Sequence, residues 1–448
     1  MLKIAKPVLL ACFIFLCAQF SFAQDKNLID GHPAWIMQGN IYEVNVRQYT
    51  PEGTFVAFEK SLPRLKAMGV QTLWFMPIDP ISKVDRKGAL GSYYAVSDYT
   101  SINPEFGTMD DWKALVKQAH EMGFKVIIDW VPNHTGADHI WLTTHPDFFV
   151  KDSTGKPLSP FDWSDTRQLD YKNVVLQDSM INAMKFWITN SDIDGFRCDV
   201  AWNVPETFWQ KCIPQLKAMK NIFMLAESDK ASDQVAGFDA TYSWPEFHVM
   251  NDIAAGKKNA ASLDSIINLT NKNFPQHALL LYFTSNHDEN SWNKADYATM
   301  PGDEHAPFAV LTQTLPRSIP LIYSGQEEPF LDSISFFYKD TITFSKFARA
   351  GFYNKLLHLR EKNSALEADA SFKKIQTTND ENIYAFIREK NADKVLVVVN
   401  LSNKKQEFKL DDVVINGIAI NDFSAQKETI SKAQSMQLDA WGYKVYSY

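Results

Sequence analysis

VQTLWFMPI (70–78) and TMDDWKALVKQAHEMGFKVIIDWV (108–131) together read as apolar strand, amphipathic helix, apolar strand. Both strand segments are near-continuous apolar runs, as expected of strands buried on both faces of a parallel sheet covered by helices. Thr108 stands where a helix N-cap is expected. Working outward, the same alternation recurs. NIYEVNVRQYT (40–50) reads as a strand and FVAFEKSLPRLKAMG (55–69) as a helix. A helix over 173–190 precedes the strand IDGFRCDVA (193–201), and a helix over 205–220 precedes IFMLAES (222–228). FDATYSW (238–244), ALLLYFTSNHD (278–288) and IPLIYSGQE (319–327) complete eight strands, with helices near 305–316 and 344–362. Eight strand–helix units predict an α/β fold, the (β/α)₈ TIM barrel.

The alternation breaks between 135 and 172, which holds Gly, Pro, Asp, Ser and Thr with little periodicity. This predicts an excursion, a small inserted subdomain after the third strand. From about 366 the chain turns to short strands joined by polar turns (ENIYAFIRE, KVLVVVNLS, QEFKL, GYKVYSY), predicting a C-terminal antiparallel β-domain over 366–448. The catalytic barrel is accordingly expected over 24–365.

Composition narrows the function. The 448 residues carry a net charge of −8 with no Lys/Arg run, which argues against nucleic acid as a partner. Aromatics make up 13 % of the chain; most serve a core, and some suit a cleft that stacks rings on sugars. Lys3 and Lys6 precede an apolar run from Pro7 to Ala18, and Ser21-Phe22-Ala23 resembles a cleavage site, predicting a signal peptide over 1–23 and export to a periplasm or the medium. Its loss would leave 43 basic against 53 acidic residues, a net charge of −10. Leu9-Leu10-Ala11-Cys12 offers a competing reading, a lipid anchor at Cys12. The short spacing from Lys6 and the apolar run beyond Cys12 favour cleavage instead. No later stretch is long and apolar enough to span a membrane. Cys198 and Cys212 remain, too few for a disulfide framework or a zinc site, and are expected to be buried thiols.

In a barrel, side chains at the C-terminal strand ends face the active site. The third strand ends in DWVPNH (129–134), the fourth in GFRCDVA (195–201), the fifth in LAES (225–228) and the seventh in TSNHDEN (284–290). Charged groups at the ends of apolar strands are costly unless paired or used. Asp129, Arg197, Asp199, Glu227 and Asp288 on one rim are therefore expected to do chemistry. Paired carboxylates, one ionised and one protonated, are the equipment of glycoside hydrolysis, and a retaining pair stands about 5–5.5 Å apart.

These four motifs, in this order, resemble those of the α-amylase superfamily of retaining α-glucan glycoside hydrolases. The resemblance spans roughly residues 40–448. It implies Asp199 as nucleophile, Glu227 as general acid/base and Asp288 as the third carboxylate, gripping sugar hydroxyls. It implies Arg197, His134 and His287 as substrate-site residues, with Asp129 bracing Arg197, and favours Tyr94 over Tyr93 in GSYYAVSDY (91–99) as the stacking tyrosine.

Two departures stand out. Many α-amylases carry Lys-His at the positions held here by Trp202 and Asn203. The resemblance leaves a structural calcium open, with Asn133 as the one nameable side-chain ligand, and implies no cofactor for the chemistry. DVAWNV is also similar to the cyclomaltodextrinase and neopullulanase group, although residues 24–39 are too short for the N-terminal β-domain that group carries. The expected activity is hydrolysis of α-1,4-glucosidic bonds in starch-derived glucans or maltodextrins. The alternatives are a cyclomaltodextrinase-like, exo-glucosidase or transglucosylase activity on oligosaccharides, and a non-catalytic glucan-binding protein.

Overall fold

The computed structural model describes residues 27–293, 301–411 and 417–448. The segment read as a signal peptide, with Cys12, lies outside the described residues. Eight parallel strands close into a barrel: β1 (Ile41–Val44), β2 (Thr72–Phe75), β3 (Lys125–Trp130), β4 (Gly195–Cys198), β5 (Phe223–Ala226), β6 (Ala240–Tyr242), β7 (Leu279–Tyr282) and β8 (Ser318–Tyr323), with β8 pairing back onto β1. Nearly every residue of these strands is buried, because the barrel interior lies on one side and the helices on the other. Among described residues no helix is long and apolar enough to cross a membrane.

Local chemistry sets the element ends. The helix Met109–Glu121 starts with a capping box: the Thr108 hydroxyl accepts the Asp111 N–H, and Asp111 accepts the Thr108 N–H. Three elements differ from the reading. The first strand stops at Val44, and the chain turns helical over Val46–Tyr49 as the Asn45 carbonyl accepts the N–H groups of Gln48 and Tyr49. The helix expected over 55–69 is two helices, Phe55–Glu59 and Leu62–Met68. Pro63, which has no N–H to give, sits in the first turn of the second. The helix expected from 344 begins at Ala350. Gly195 is required where it stands, since a Cβ there would lie 2.1 Å from the Phe223 carbonyl oxygen. That close approach brings β4 and β5, and hence Arg197 and Glu227, side by side.

The excursion after β3 contains a short antiparallel pair, His134–Gly136 with Thr166–Gln168, before the chain re-enters the barrel through the helix Val174–Ser191. The C-terminal region forms a six-stranded antiparallel sheet and a separate two-stranded pair. Four of its strands escaped the sequence reading (Ser371–Ile375, Gly417–Asn421, Lys427–Ile430 and Ser435–Leu438) because they are short and their exposed positions are polar or irregular. Tyr384, Phe386, Val395 and Val397 of this sheet share a core with Leu280, Phe308 and Leu311 of the barrel.

Candidate active site

Strand alternation turns Phe196 and Cys198 into the packing around the barrel and leaves Arg197 pointing inward. Its guanidinium is fully buried. Nη1 donates to Asp129 and to Asp199, both at 2.9 Å, and Nε donates to the Tyr242 hydroxyl at 3.1 Å. Nη2 lies 3.0 Å from Glu227 Oε1, an ion pair without hydrogen-bond alignment. Burial disfavours this charge, but Asp129 and Glu227 outweigh it and hold the arginine pKa well above its ordinary value. One cation thus links the ends of β3, β4 and β5.

Asp129 is fully buried and absent from the cavity wall. Besides Arg197 it accepts the Tyr94 hydroxyl at 3.1 Å and the Trp74 indole N–H at 3.3 Å, so it braces the site from beneath. Burial lifts its pKa to about 6 against the pull of Arg197. Burial and the Glu227 carboxylate push Asp199 well above the ordinary range, with Arg197 opposing.

Val200, immediately after Asp199, adopts φ 46°, a conformation costly for a β-branched residue. The strain has a visible return: the Val200 N–H is aimed at Glu227 Oε2, 2.6 Å away. Both Glu227 oxygens therefore face nitrogen donors.

Beyond β7, His287 is clamped on both sides. Nδ1 meets Glu43 Oε1 at 2.5 Å; Nε2 meets the Tyr94 hydroxyl at 2.7 Å and Asp288 Oδ2 at 3.2 Å. Burial opposes its protonation, but Asp288 and Glu43 prevail and raise its pKa well above the ordinary value. Burial likewise opposes ionisation of Asp288, yet the imidazolium holds that carboxyl below its usual range. The Tyr94 ring is stacked between His287 and Phe336, while Tyr93 lies behind it with its hydroxyl on Asn45.

Tyr94, His134, Asp199, Glu227 and Asp288 line one cavity of about 440 Å³. The six positions Tyr94, His134, Arg197, Asp199, Glu227 and His287 are brought together with Asp288, and of the named set only Arg197 and His287 sit behind the wall. Burial lowers the His134 pKa to about 4, so this ring is neutral. Several contributors were not read from the sequence. Trp163, Phe336 and Phe337 come from loops without periodicity and share the wall with Lys87. Glu43 does carry a sequence signal, a lone carboxylate inside the apolar strand β1. At the rim, exposed Phe161 and Trp202 face each other at 5.9 Å, Phe161 also meets Trp163 at 4.8 Å, and the Lys230 ammonium stands 5.2 Å from the Trp202 ring.

Asn133, the candidate calcium ligand, is engaged within the protein. Its Oδ1 accepts the Asn203 amide at 2.9 Å, and its backbone carbonyl accepts the Leu169 N–H. The Val131 and His134 carbonyls both accept the Tyr99 hydroxyl, and the Pro132 carbonyl accepts that of Tyr171. Calcium takes six to eight oxygens. These five oxygens each receive a protein donor, and among the described residues no group of three or more acidic, His or Cys side chains that could hold a metal is gathered.

Comparison with known proteins accords with this geometry. The family model described as alpha amylase, catalytic domain, matches residues 38–168 and 161–407, and that of the alpha-amylase SusG C-terminal domain matches 383–442. Alpha-amylase MalA of Haloarcula japonica is 27 % identical over 394 residues, covering 83 % of this chain; the chain spans only 56 % of that protein's length. Alpha-amylase 3 of Dictyoglomus thermophilum is 25 % identical over 90 % of this chain and 91 % of its own. A solved structure, a noncanonic maltogenic alpha-amylase from Thermotoga neapolitana, superposes with a TM-score of 0.84 at 28 % identity, covering 92 % of this chain and 99 % of that one.

Proposed function

The chain belongs to the α-amylase family, and from that premise we propose that it is a retaining hydrolase of α-1,4-glucosidic bonds in maltodextrins and starch-derived glucans. The observation that carries this reading is the single Arg197 guanidinium joining Asp199 and Glu227, both on the wall of one cavity. In the first step an ionised Asp199 oxygen attacks the anomeric carbon while Glu227 gives its proton to the leaving oxygen. In the second, Glu227 takes a proton from water, whose oxygen displaces Asp199 and restores both carboxyls. Asp288, held ionised by His287, grips sugar hydroxyls as the ring distorts.

Glu227 Oε2 accepts the Val200 N–H and Oε1 lies against Arg197, so each Glu227 oxygen keeps an acceptor position on which the acid proton can sit. When Glu227 carries that proton, one of the carboxylates that raise Asp199 is neutral and Arg197 is left to Asp199 and Asp129, which favours the ionised nucleophile.

A second reading, transfer to sugar acceptors or action on cyclic and short oligosaccharides, is favoured by the exposed Phe161–Trp202 pair at the rim, a surface for retaining an acceptor. Export through the leader-like segment 1–23 belongs to this reading too; N-terminal sequencing of protein recovered from cells is expected to begin at Gln24.

A product time course on maltoheptaose, soluble starch, pullulan and β-cyclodextrin tests the proposal, with Asp199→Asn as the inactive control. Short malto-oligosaccharides of retained anomeric configuration are expected. Fast opening of cyclodextrin, or panose from pullulan, selects the second reading. No turnover of any of them by the wild type refutes both.

A further inference from the structure

Asn203 stands outside the acid–base chemistry, half-buried in the turn that follows Asp199. Its Nδ2 donates to Asn133 Oδ1 at 2.9 Å, and Asn133 Nδ2 in turn meets His134 Nδ1 at 3.2 Å. Two side-chain amides therefore run head to tail into an imidazole. A ring nitrogen that receives an amide N–H is the acceptor of its ring, so a neutral imidazole carries its proton on the other nitrogen. That other nitrogen, Nε2, is buried and meets no hydrogen-bond partner within the protein. With Nδ1 receiving the Asn133 amide, the proton of the neutral ring falls to Nε2. His134 lines the same cavity as Asp199, Glu227 and Asp288. A buried donor left without a partner on a cavity wall is expensive unless something else satisfies it.

We infer that Asn203 is a positioning residue that, through Asn133, fixes His134 as the Nε2–H tautomer and presents that N–H to a hydroxyl of the sugar seated against Asp199. The identity of the acceptor rests on the glycosidase reading; the tautomer does not. The same pair of amides also occupies the joint between barrel and excursion, so one short relay both closes the joint and sets the polarity of a substrate-facing ring. The opposite polarity is chemically complete as well. If both amides turned over, Asn133 Oδ1 would face the ring and the proton would sit on Nδ1. The amide orientations found here are those of the first arrangement, and an experiment separates the two.

Long-range ¹H–¹⁵N correlation spectra of the ¹⁵N-labelled full chain report the tautomer directly, with the His134 signals assigned by their loss in His134→Gln. The expected wild-type spectrum has an unprotonated Nδ1 and a protonated Nε2. Asn203→Asp replaces a donor by a group that only accepts. It should turn Asn133 over, move the His134 proton to Nδ1 and lower kcat/KM on maltoheptaose about 10-fold, the worth of one hydrogen bond. A wild-type spectrum with the proton on Nδ1 overturns the proposal, as does an Asn203→Asp spectrum identical to wild type. If Asn203→Asp does not fold, the wild-type spectrum still decides. Should Asp199→Asn retain full turnover, the glycosidase reading falls while the spectral test of the relay stands.

Discussion

His287 Nδ1 lies 2.5 Å from Glu43 Oε1, a contact that ties the end of β7 to the middle of β1 and has no counterpart in the motif-bearing stretches of the sequence. Glu43 is fully buried, and its second carboxylate oxygen has no partner. A carboxylate in that position is tolerated because the imidazolium neutralises it, and the imidazolium in turn sits 3.2 Å from Asp288.

Glu43→Gln removes one of the two carboxylates that raise the His287 pKa. His287 is charged below its folded pKa and loses that charge as pH rises through it. Lowering that pKa brings the alkaline loss of activity to lower pH. A pH profile of kcat/KM should show the shift, with about a 10-fold fall at neutral pH; an unchanged alkaline limb would count against the clamp.

Glu227→Gln keeps the shape of the site and removes the carboxyl proposed as the acid. Turnover of maltoheptaose should fall by about 10³-fold or more, whereas α-maltosyl fluoride, whose leaving group needs no proton, should still load the nucleophile. Mass spectrometry of the quenched variant should find Asp199 carrying a glycosyl ester. An ester on another residue contradicts the assignment.

Trp202→Ala removes half of the exposed ring pair at the rim. The KM for maltoheptaose should rise about 5- to 10-fold, and the ratio of transfer products to hydrolysis products should drop. Equal effects on the shortest and longest substrates would place Trp202 outside the acceptor side.

His139 is buried, accepts the Trp141 N–H through Nδ1, and has its pKa lowered from 6.5 to about 3 by burial. The unfolded chain binds this proton near 6.5 and the folded chain does not. Its contribution is thus intact above about pH 6.5 and is lost as pH falls toward about 3. His139→Gln should flatten the acid side of a Tm-against-pH curve while leaving Tm at neutral pH close to wild type.

Chelation should not matter to the joint that Asn133 and Asn203 close. Dialysis against EGTA is expected to leave both Tm and kcat unchanged, and a Tm that drops and is restored by calcium would show an ion site the side-chain hydrogen bonds do not account for.

The barrel and the carboxylates were legible because each depends on local pattern. Apolar runs such as KVIIDW and FMLA have few options other than burial on both faces, and a barrel puts whatever follows them on one rim. Strand ends were less legible: NIYEVNVRQYT reads as one strand, yet its second half is helical because backbone carbonyls at the barrel mouth find N–H partners within the turn. The β-strands of the C-terminal region were read only where they are long and apolar. Phe336 and Trp163 entered the site without warning, since their roles are defined by what lies opposite them across the cavity, and Glu43, visible as a lone carboxylate in β1, gave no hint of its partner His287.

The sequence by itself determined which residues stand at the ends of β3, β4, β5 and β7, because strand period and burial are properties of neighbours along the chain. Only the tertiary structure decided how those residues are charged and aimed. Arg197 meets Asp129, Asp199 and Glu227 from three different strands, His287 is shared between Glu43 and Asp288, and Asn203 reaches His134 through Asn133. Such contacts join positions as many as 244 residues apart. Their strength depends on distance and desolvation in the closed barrel, which no local pattern encodes.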